Sequence, residues 1–232
     1  MNKKVCSVVL ALIGFAVISG AAHATTHDFY KGKTIRIIVG FAAGGGFDTY
    51  ARAISRHMGR HIPGNPTIIV ENMTGAGSLI AANYTYKVAK PDGLTMAHPI
   101  GGIFLLQIFG KPGVEFDARK FEYVGVPTKD NVTCAFTRAS GITSIEKWLA
   151  AKTPVKVGAV APGSTTDDAP KILVASIGVP VQLVSGYKGT AAIRLAAESG
   201  EVAGGCWGWE SIRATWRKGI ETGDVAVVLQ TQ

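Results

Sequence analysis

The sequence is poor in charge, in aromatics and in cysteine. Charged residues make up 17% of the 232 positions and aromatics 8%. No run of five or six like charges occurs, which removes a nucleic-acid-binding arm from consideration. The formal charge of +8 is scattered over residues such as Arg52, Arg56, Arg60, Arg213 and Arg217, as on a solvated basic surface. No Gly-x-Ser-x-Gly elbow is present, nor a Gly-Lys-Ser/Thr phosphate loop. Gly75-Ala76-Gly77-Ser78-Leu79-Ile80 comes near a dinucleotide fingerprint, but Ile80 occupies the third glycine position. Low-complexity linkers are absent as well.

Long apolar runs are also missing. Val5–Ile18 is shorter than the about 20 residues that a membrane span needs. Lys3 and Lys4 precede it and Ala22-His23-Ala24 follows it, so residues 1–24 are expected to be an export signal cleaved after Ala24. Cys6 lies inside this leader without a lipobox-like context. Cys134 and Cys206 remain in the mature chain. Export permits a disulfide between them, yet two simply buried thiols are the preferred reading.

What is present is a repeated unit. Ile35-Arg36-Ile37-Ile38-Val39 reads as a buried parallel strand. Gly44-Gly45-Gly46 follows, where the backbone can turn tightly and a ligand can approach closely. A helix then begins near Asp48 or Thr49 and runs to about Arg60, with a carboxylate or hydroxyl placed to cap it. The unit recurs: strand Thr67–Val70, turn Thr74–Ser78, helix Leu79–Ala89, strand Leu94–Ala97, then Gly101-Gly102 and an apolar helix to Phe109.

The second half continues in kind. Strands are expected at Phe121–Val126, Val132–Thr137, Val155–Val160, Val181–Val184, Val202–Trp209 and Val225–Leu229. Thr143-x-x-Glu146 is a capping pattern. Glycine turns recur at Gly163–Thr166 and Gly186–Thr190. Right-handed crossovers place successive turns along one sheet edge, the edge where open α/β sheets take ligands. Abundant Ala, Gly and Val suits such packing.

The residues favour binding over chemistry. His57 and His61 stand four apart but lack the glutamate of a zinc protease, and read as exposed helix-end histidines. No serine or cysteine is evidently paired with a histidine base. Free N–H groups at helix starts, with a few hydroxyls, are enough to hold a small anionic solute. Trp207 and Trp209 alternate on a strand and are expected to be partly core.

The segment Phe29–Asp48, together with Val70-Glu71-Asn72-Met73-Thr74-Gly75-Ala76-Gly77, Ala89-Lys90-Pro91-Asp92-Gly93 and Gly186-Tyr187-Lys188-Gly189-Thr190, resembles the Bug (TctC-like) extracytoplasmic solute receptors of tripartite tricarboxylate transporters. The resemblance implies an α/β, type II periplasmic-binding-protein fold, with two α/β lobes and a ligand cleft between them. Lobe 1 would begin in 25–122, lobe 2 would occupy 123–222, and 223–232 would start a return to lobe 1, whose remaining segment is expected to be missing, leaving an apolar face of lobe 1 uncovered. It implies a periplasmic monomer without catalysis, cofactor or metal, a small carboxylate-bearing solute, and delivery to membrane permease subunits. An exported sensor for a membrane kinase and, further off, an exported enzyme are the alternatives. The ligand residues it implies are Phe41, Gly44, Gly45, Gly46, Asp48, Gly75, Ala76 and Gly77 from lobe 1, and Gly163, Ser164, Thr165, Tyr187 and Gly189 from lobe 2. Asp167 and Asp168 depart from the family pattern. As carboxylates at a helix start they would disfavour a plain di- or tricarboxylate and suit a ligand with an amine or hydroxyl-rich end.

Overall fold

A computed structural model of the chain describes residues 29–129 and 131–231. The expected export signal and its cleavage point lie outside the described residues.

Two sheets form two lobes. In the first, β1 (Thr34–Val39) is central, flanked in parallel by β2 (Thr67–Asn72) and β3 (Thr95–His98). Three helices connect or follow these strands: α1 (Gly46–Met58), α2 (Leu79–Lys87) and α3 (Ile103–Ile108). The β-branched run of β1 is covered on both faces. Ile38 and Val39 have no exposed surface, and each contributes about 1.5–3 kcal/mol by leaving water. Ile37 and Val39 pack with Phe41, Ala51, Ala82 and Ile103 in the core of this lobe.

The second sheet has the order β6-β5-β7-β4-β8. Its strands are β4 (Val132–Thr137), β5 (Val155–Ala159), β6 (Val181–Ser185), β7 (Gly204–Gly208) and β8 (Val225–Gln230). β5 runs parallel to β6 and β7, whereas β4 is antiparallel to β7 and β8. The helices are α4 (Ile145–Leu149), α5 (Thr165–Ile177), α6 (Thr190–Glu198) and α7 (Trp209–Glu221). One core, around Phe136, Trp148 and Val157, lies on one face of the sheet. A second, around Ile193, Trp207, Ile212 and Trp216, lies on the other.

Four local expectations are corrected. Residues 121–126 form no strand, because a strand needs a partner and none stands beside this segment among the described residues. Val124 and Val126 are left 83% and 85% exposed, and Leu105, Ile108 and Phe109 are exposed too. The cap of α4 is Ser144, not Thr143: its Oγ accepts the Lys147 N–H at 3.3 Å. The Thr143 hydroxyl instead accepts from Lys147 Nζ at 2.8 Å. The segment read as the return to lobe 1 contains β8, which pairs with β4 inside the second sheet. Cys134 and Cys206 are not two separate thiols. They stand directly opposite each other in the antiparallel β4–β7 register and form a disulfide.

That bridge spans 72 residues of chain. Cross-linking so long a loop restricts the unfolded chain, so the double replacement Cys134→Ala, Cys206→Ala is expected to lower stability by about 2–5 kcal/mol. Urea unfolding of the oxidised protein and the variant measures this, and equal midpoints would show that the cross-link contributes nothing.

Candidate functional site

The strand-to-helix turns of both lobes meet along one junction. In lobe 1, β1 runs into Gly40–Gly45 and α1 starts at Gly46. Gly45 is its cap residue, and no side chain caps the helix. The N–H groups that head α1 therefore have no intrahelical acceptor. In lobe 2 the same holds for α6, capped by Gly189, and α7, capped by Gly208. Neither has a side-chain cap bond. Each helix start carries a partial positive charge of about half a unit.

These starts approach one another closely. The Ala42 N–H donates to the Lys188 carbonyl of the other lobe at 3.0 Å. A Cβ on Gly46 would lie 2.1 Å from Ser211 Oγ and 3.0 Å from Ser211 Cα, so only glycine fits there. A Cβ on Gly45 would lie 3.2 Å from Thr190 Oγ1. Further along the junction Gly77 faces Ala161, and Gly102 faces the Gly163 carbonyl.

The first loop is held by Asp48, which is 3% exposed. Its carboxylate accepts from the Gly44 N–H at 2.9 Å, from Arg52 Nε at 2.9 Å and from Asn72 Nδ2 at 2.9 Å. Asn72 Nδ2 also donates to the Phe41 carbonyl at 2.9 Å, which ties the loop to the end of β2. Burial alone pushes the Asp48 pKa up. The Arg52 guanidinium, the Gly44 N–H and the Asn72 amide together outweigh it and hold the carboxyl below the ordinary aspartate value.

The second lobe repeats the device. The Gly163 N–H donates to Asp168 Oδ1 at 3.2 Å. Ser185 Oγ donates to Asp167 Oδ1 at 3.4 Å, joining this loop to the end of β6. Asp167 is almost fully buried and paired with Lys171. Burial pushes the Asp168 carboxyl up, with Asp167 adding to the rise against the Gly163 N–H and Lys171.

The implied ligand residues fall into three groups. Gly45, Gly46, Gly77, Gly163 and Gly189 lie where the lobes approach, while Gly44 and Ala76 are exposed beside them and Gly75 is half-buried. Thr165 opens α5. Phe41, Asp48, Ser164 and Tyr187 have side chains engaged elsewhere. The Phe41 ring packs on Phe47, with centroids 4.7 Å apart. Ser164 Oγ donates to the Ala161 carbonyl at 2.6 Å inside its own turn. Tyr187 runs back along the sheet and donates to Glu201 Oε1 at 2.6 Å. Burial and Glu201 push its pKa up to about 12.

Other residues stand here too, of which the sequence marked Thr190, as the end of its last glycine turn, but not Ser211. Ser211 of α7 and Thr190 of α6 stand at the junction with their hydroxyl oxygens 3.4 Å apart. Thr190 directly follows the Tyr-Lys-Gly turn, whereas no local pattern marks Ser211. His98, at the end of β3, packs against Phe47 with ring centroids 4.9 Å apart. Burial lowers its pKa, against a hydrogen bond that the ring donates to the Phe47 backbone. Trp207 is core, stacked on Trp216 with centroids 5.7 Å apart. His57 and His61 are exposed, as read from the sequence. Among the described residues no group of three or more His, Cys, Asp or Glu is placed to hold a metal.

Asp48→Asn is expected to destabilise the fold by about 1–3 kcal/mol at neutral pH, because it weakens charge-assisted bonds in a buried site. A carboxyl whose folded pKa is depressed stabilises the fold above its unfolded value, and that stabilisation fades on acidification. The gap between wild type and variant should therefore be full at neutral pH and shrink as the pH falls below 3.8 toward the lower folded value. Denaturant titrations across pH 2–7 measure it, and a gap independent of pH would refute the assignment.

No family model matches the chain. A UPF0065 protein from the TAR-I ttuE-ttuC' intergenic region of Agrobacterium vitis is 28% identical over 197 residues, covering 82% of this chain and 53% of that protein. The chain thus spans about half the length of this curated relative. MatC from Rhodopseudomonas palustris, solved with bound malate, superimposes with a TM-score of 0.72 at 24% identity, over 87% of this chain and 67% of that one. The periplasmic binding protein BugD superimposes with a TM-score of 0.68 at 21% identity, over 88% of this chain and 67% of that one. The chain therefore resembles the UPF0065 (Bug) proteins in sequence and has the two-lobed α/β fold of the Bug and TctC-like periplasmic solute receptors.

Proposed function

We propose that the chain is a non-catalytic solute receptor of the periplasm. It captures a small carboxylate-bearing molecule between its lobes and delivers it to the permease subunits of a tripartite tricarboxylate transporter. The observation that carries this reading is the meeting of uncapped helix starts from both lobes at one junction. Partial positive charges of one sign repel when brought together, and an anion placed among them removes the repulsion while accepting their N–H groups.

The carboxylates of α5 do not oppose such a ligand as strongly as the sequence suggested. The charge of Asp167 is offset by Lys171, and the Asp168 carboxyl is engaged by the Gly163 N–H of its own loop. A dicarboxylate is compatible with that arrangement, and the malate bound to MatC is a ligand of this class. Binding through main-chain groups requires neither a metal nor a nucleophile.

Calorimetry of the mature protein against malate, succinate, citrate and adipate tests the reading, and saturable binding of at least one is expected. Absence of binding to all four would discard the carboxylate assignment. Gly45→Val places methyl groups against Thr190, so affinity for the bound acid should fall more than tenfold, equivalent to about 1.4 kcal/mol or more, with the circular dichroism spectrum unchanged. Unaltered affinity would remove the first turn from the site.

A further inference from the structure

The sheet of lobe 2 has two ends. The glycine turns leave from one of them, after β5, β6 and β7. At the opposite end, where β4 finishes and β5 and β7 begin, lies a cavity of about 340 Å³ that the receptor reading does not use. Its volume falls within the range of about 300–1,000 Å³ typical of small-molecule pockets.

The walls are fixed by hydrogen bonds. The Thr137 N–H donates to the Ala203 carbonyl at 2.9 Å, and the Ala203 N–H donates to the Lys156 carbonyl at 2.8 Å, so these three lining residues form one bonded row across the sheet. The loop after β4 is pinned by Ser140, whose Oγ donates to the Thr137 carbonyl at 2.6 Å and accepts the Ile142 N–H at 3.3 Å. Ile142, Val155 and Val202 give the cavity an apolar lining and are themselves buried.

Two opposite charges border the same space. Lys156 and Glu201 both line it, both are exposed, and they are not paired with each other. Among the described residues the Lys156 ammonium has no partner. Glu201 is held from behind: its Oε1 accepts the Tyr187 hydroxyl at 2.6 Å, which leaves Oε2 to accept elsewhere. A ligand with a carboxylate alone would suit Lys156 and be repelled by Glu201, and an amine alone would do the reverse. A molecule carrying both charges answers both side chains, and an aliphatic portion answers the apolar lining.

We propose that this cavity is a second binding site, separate from the lobe junction, for a small aliphatic amino acid. The carboxylate lies on Lys156, the ammonium on Glu201 and the side chain against Ile142, Val155 and Val202. The inference stands apart from the receptor reading and does not need it.

The test is calorimetry of the mature protein against L-leucine, 4-methylpentanoate, which lacks the ammonium, and 3-methylbutylamine, which lacks the carboxylate. The same titrations are run on Lys156→Met, Glu201→Gln and Gly45→Val, with circular dichroism to confirm the fold of each. Glu201→Gln keeps an oxygen for Tyr187 and removes the charge. Leucine is expected to bind saturably, at least tenfold more tightly than either analogue. Lys156→Met and Glu201→Gln should each weaken leucine by about tenfold, the scale of one hydrogen bond to a charged group. Gly45→Val, at the lobe junction, should leave leucine affinity as it is. Four results would overturn the inference: no leucine binding, equal affinity for leucine and the two analogues, undiminished affinity in both cavity variants, or loss of leucine binding in Gly45→Val, which would place leucine at the junction. None of them removes the acids proposed for the junction.

Discussion

The contact of Gly46 with Ser211 governs how the two lobes can meet. With no side chain at position 46, the first turn of α1 abuts the first turn of α7. Any Cβ there would collide with Ser211 backbone as well as side chain, so the lobes would have to stand further apart. That approach brings the Thr190 and Ser211 hydroxyls, the heads of α1 and α6, and the Ala42–Lys188 bond into one neighbourhood. The arrangement forms only when the halves are in register with each other.

Each lobe prepares its side of the junction in the same way. A carboxylate in the first turn of a helix folds back on the glycine turn that precedes it: Asp48 on Gly44, and Asp168 on Gly163. A polar residue at the end of the neighbouring strand then anchors the loop, Asn72 in one lobe and Ser185 in the other. Glycine turns are conformationally loose, and hydrogen bonds to these carboxylates hold them in one shape. These carboxylates are scaffolding for the loops.

Much of this was legible in the sequence because it depends on short-range pattern. The apolar run Ile35–Val39 reads as a buried strand and Gly44-Gly45 after it as a turn, although the helix starts earlier than expected, at Gly46. Alternation of strand and helix led to two α/β lobes, and both sheets are there. What escaped was set by partners distant in sequence. The pairing of Cys134 with Cys206 follows from the register of β4 on β7, which no local signal encodes. Phe121–Val126 has strand composition but no neighbouring strand among the described residues, and composition cannot supply one. Tyr187 sits in the expected turn, yet its hydroxyl is drawn to Glu201. Ser211 looks like any helix serine until α7 is seen against Gly46.

The position of β4 also shapes how the molecule can be made. This strand comes early in lobe 2, yet it lies between β7 and β8, the last two strands among the described residues. Thr231 and Val132, which meet at one end of the β4–β8 pairing, are 99 residues apart. Until β8 emerges from the ribosome, the inner strand lacks one of its two neighbours and its edge stays open to wrong partners. Closing a loop of that size costs entropy before the pairing rewards it, so lobe 2 is expected to fold more slowly than a lobe built from local contacts.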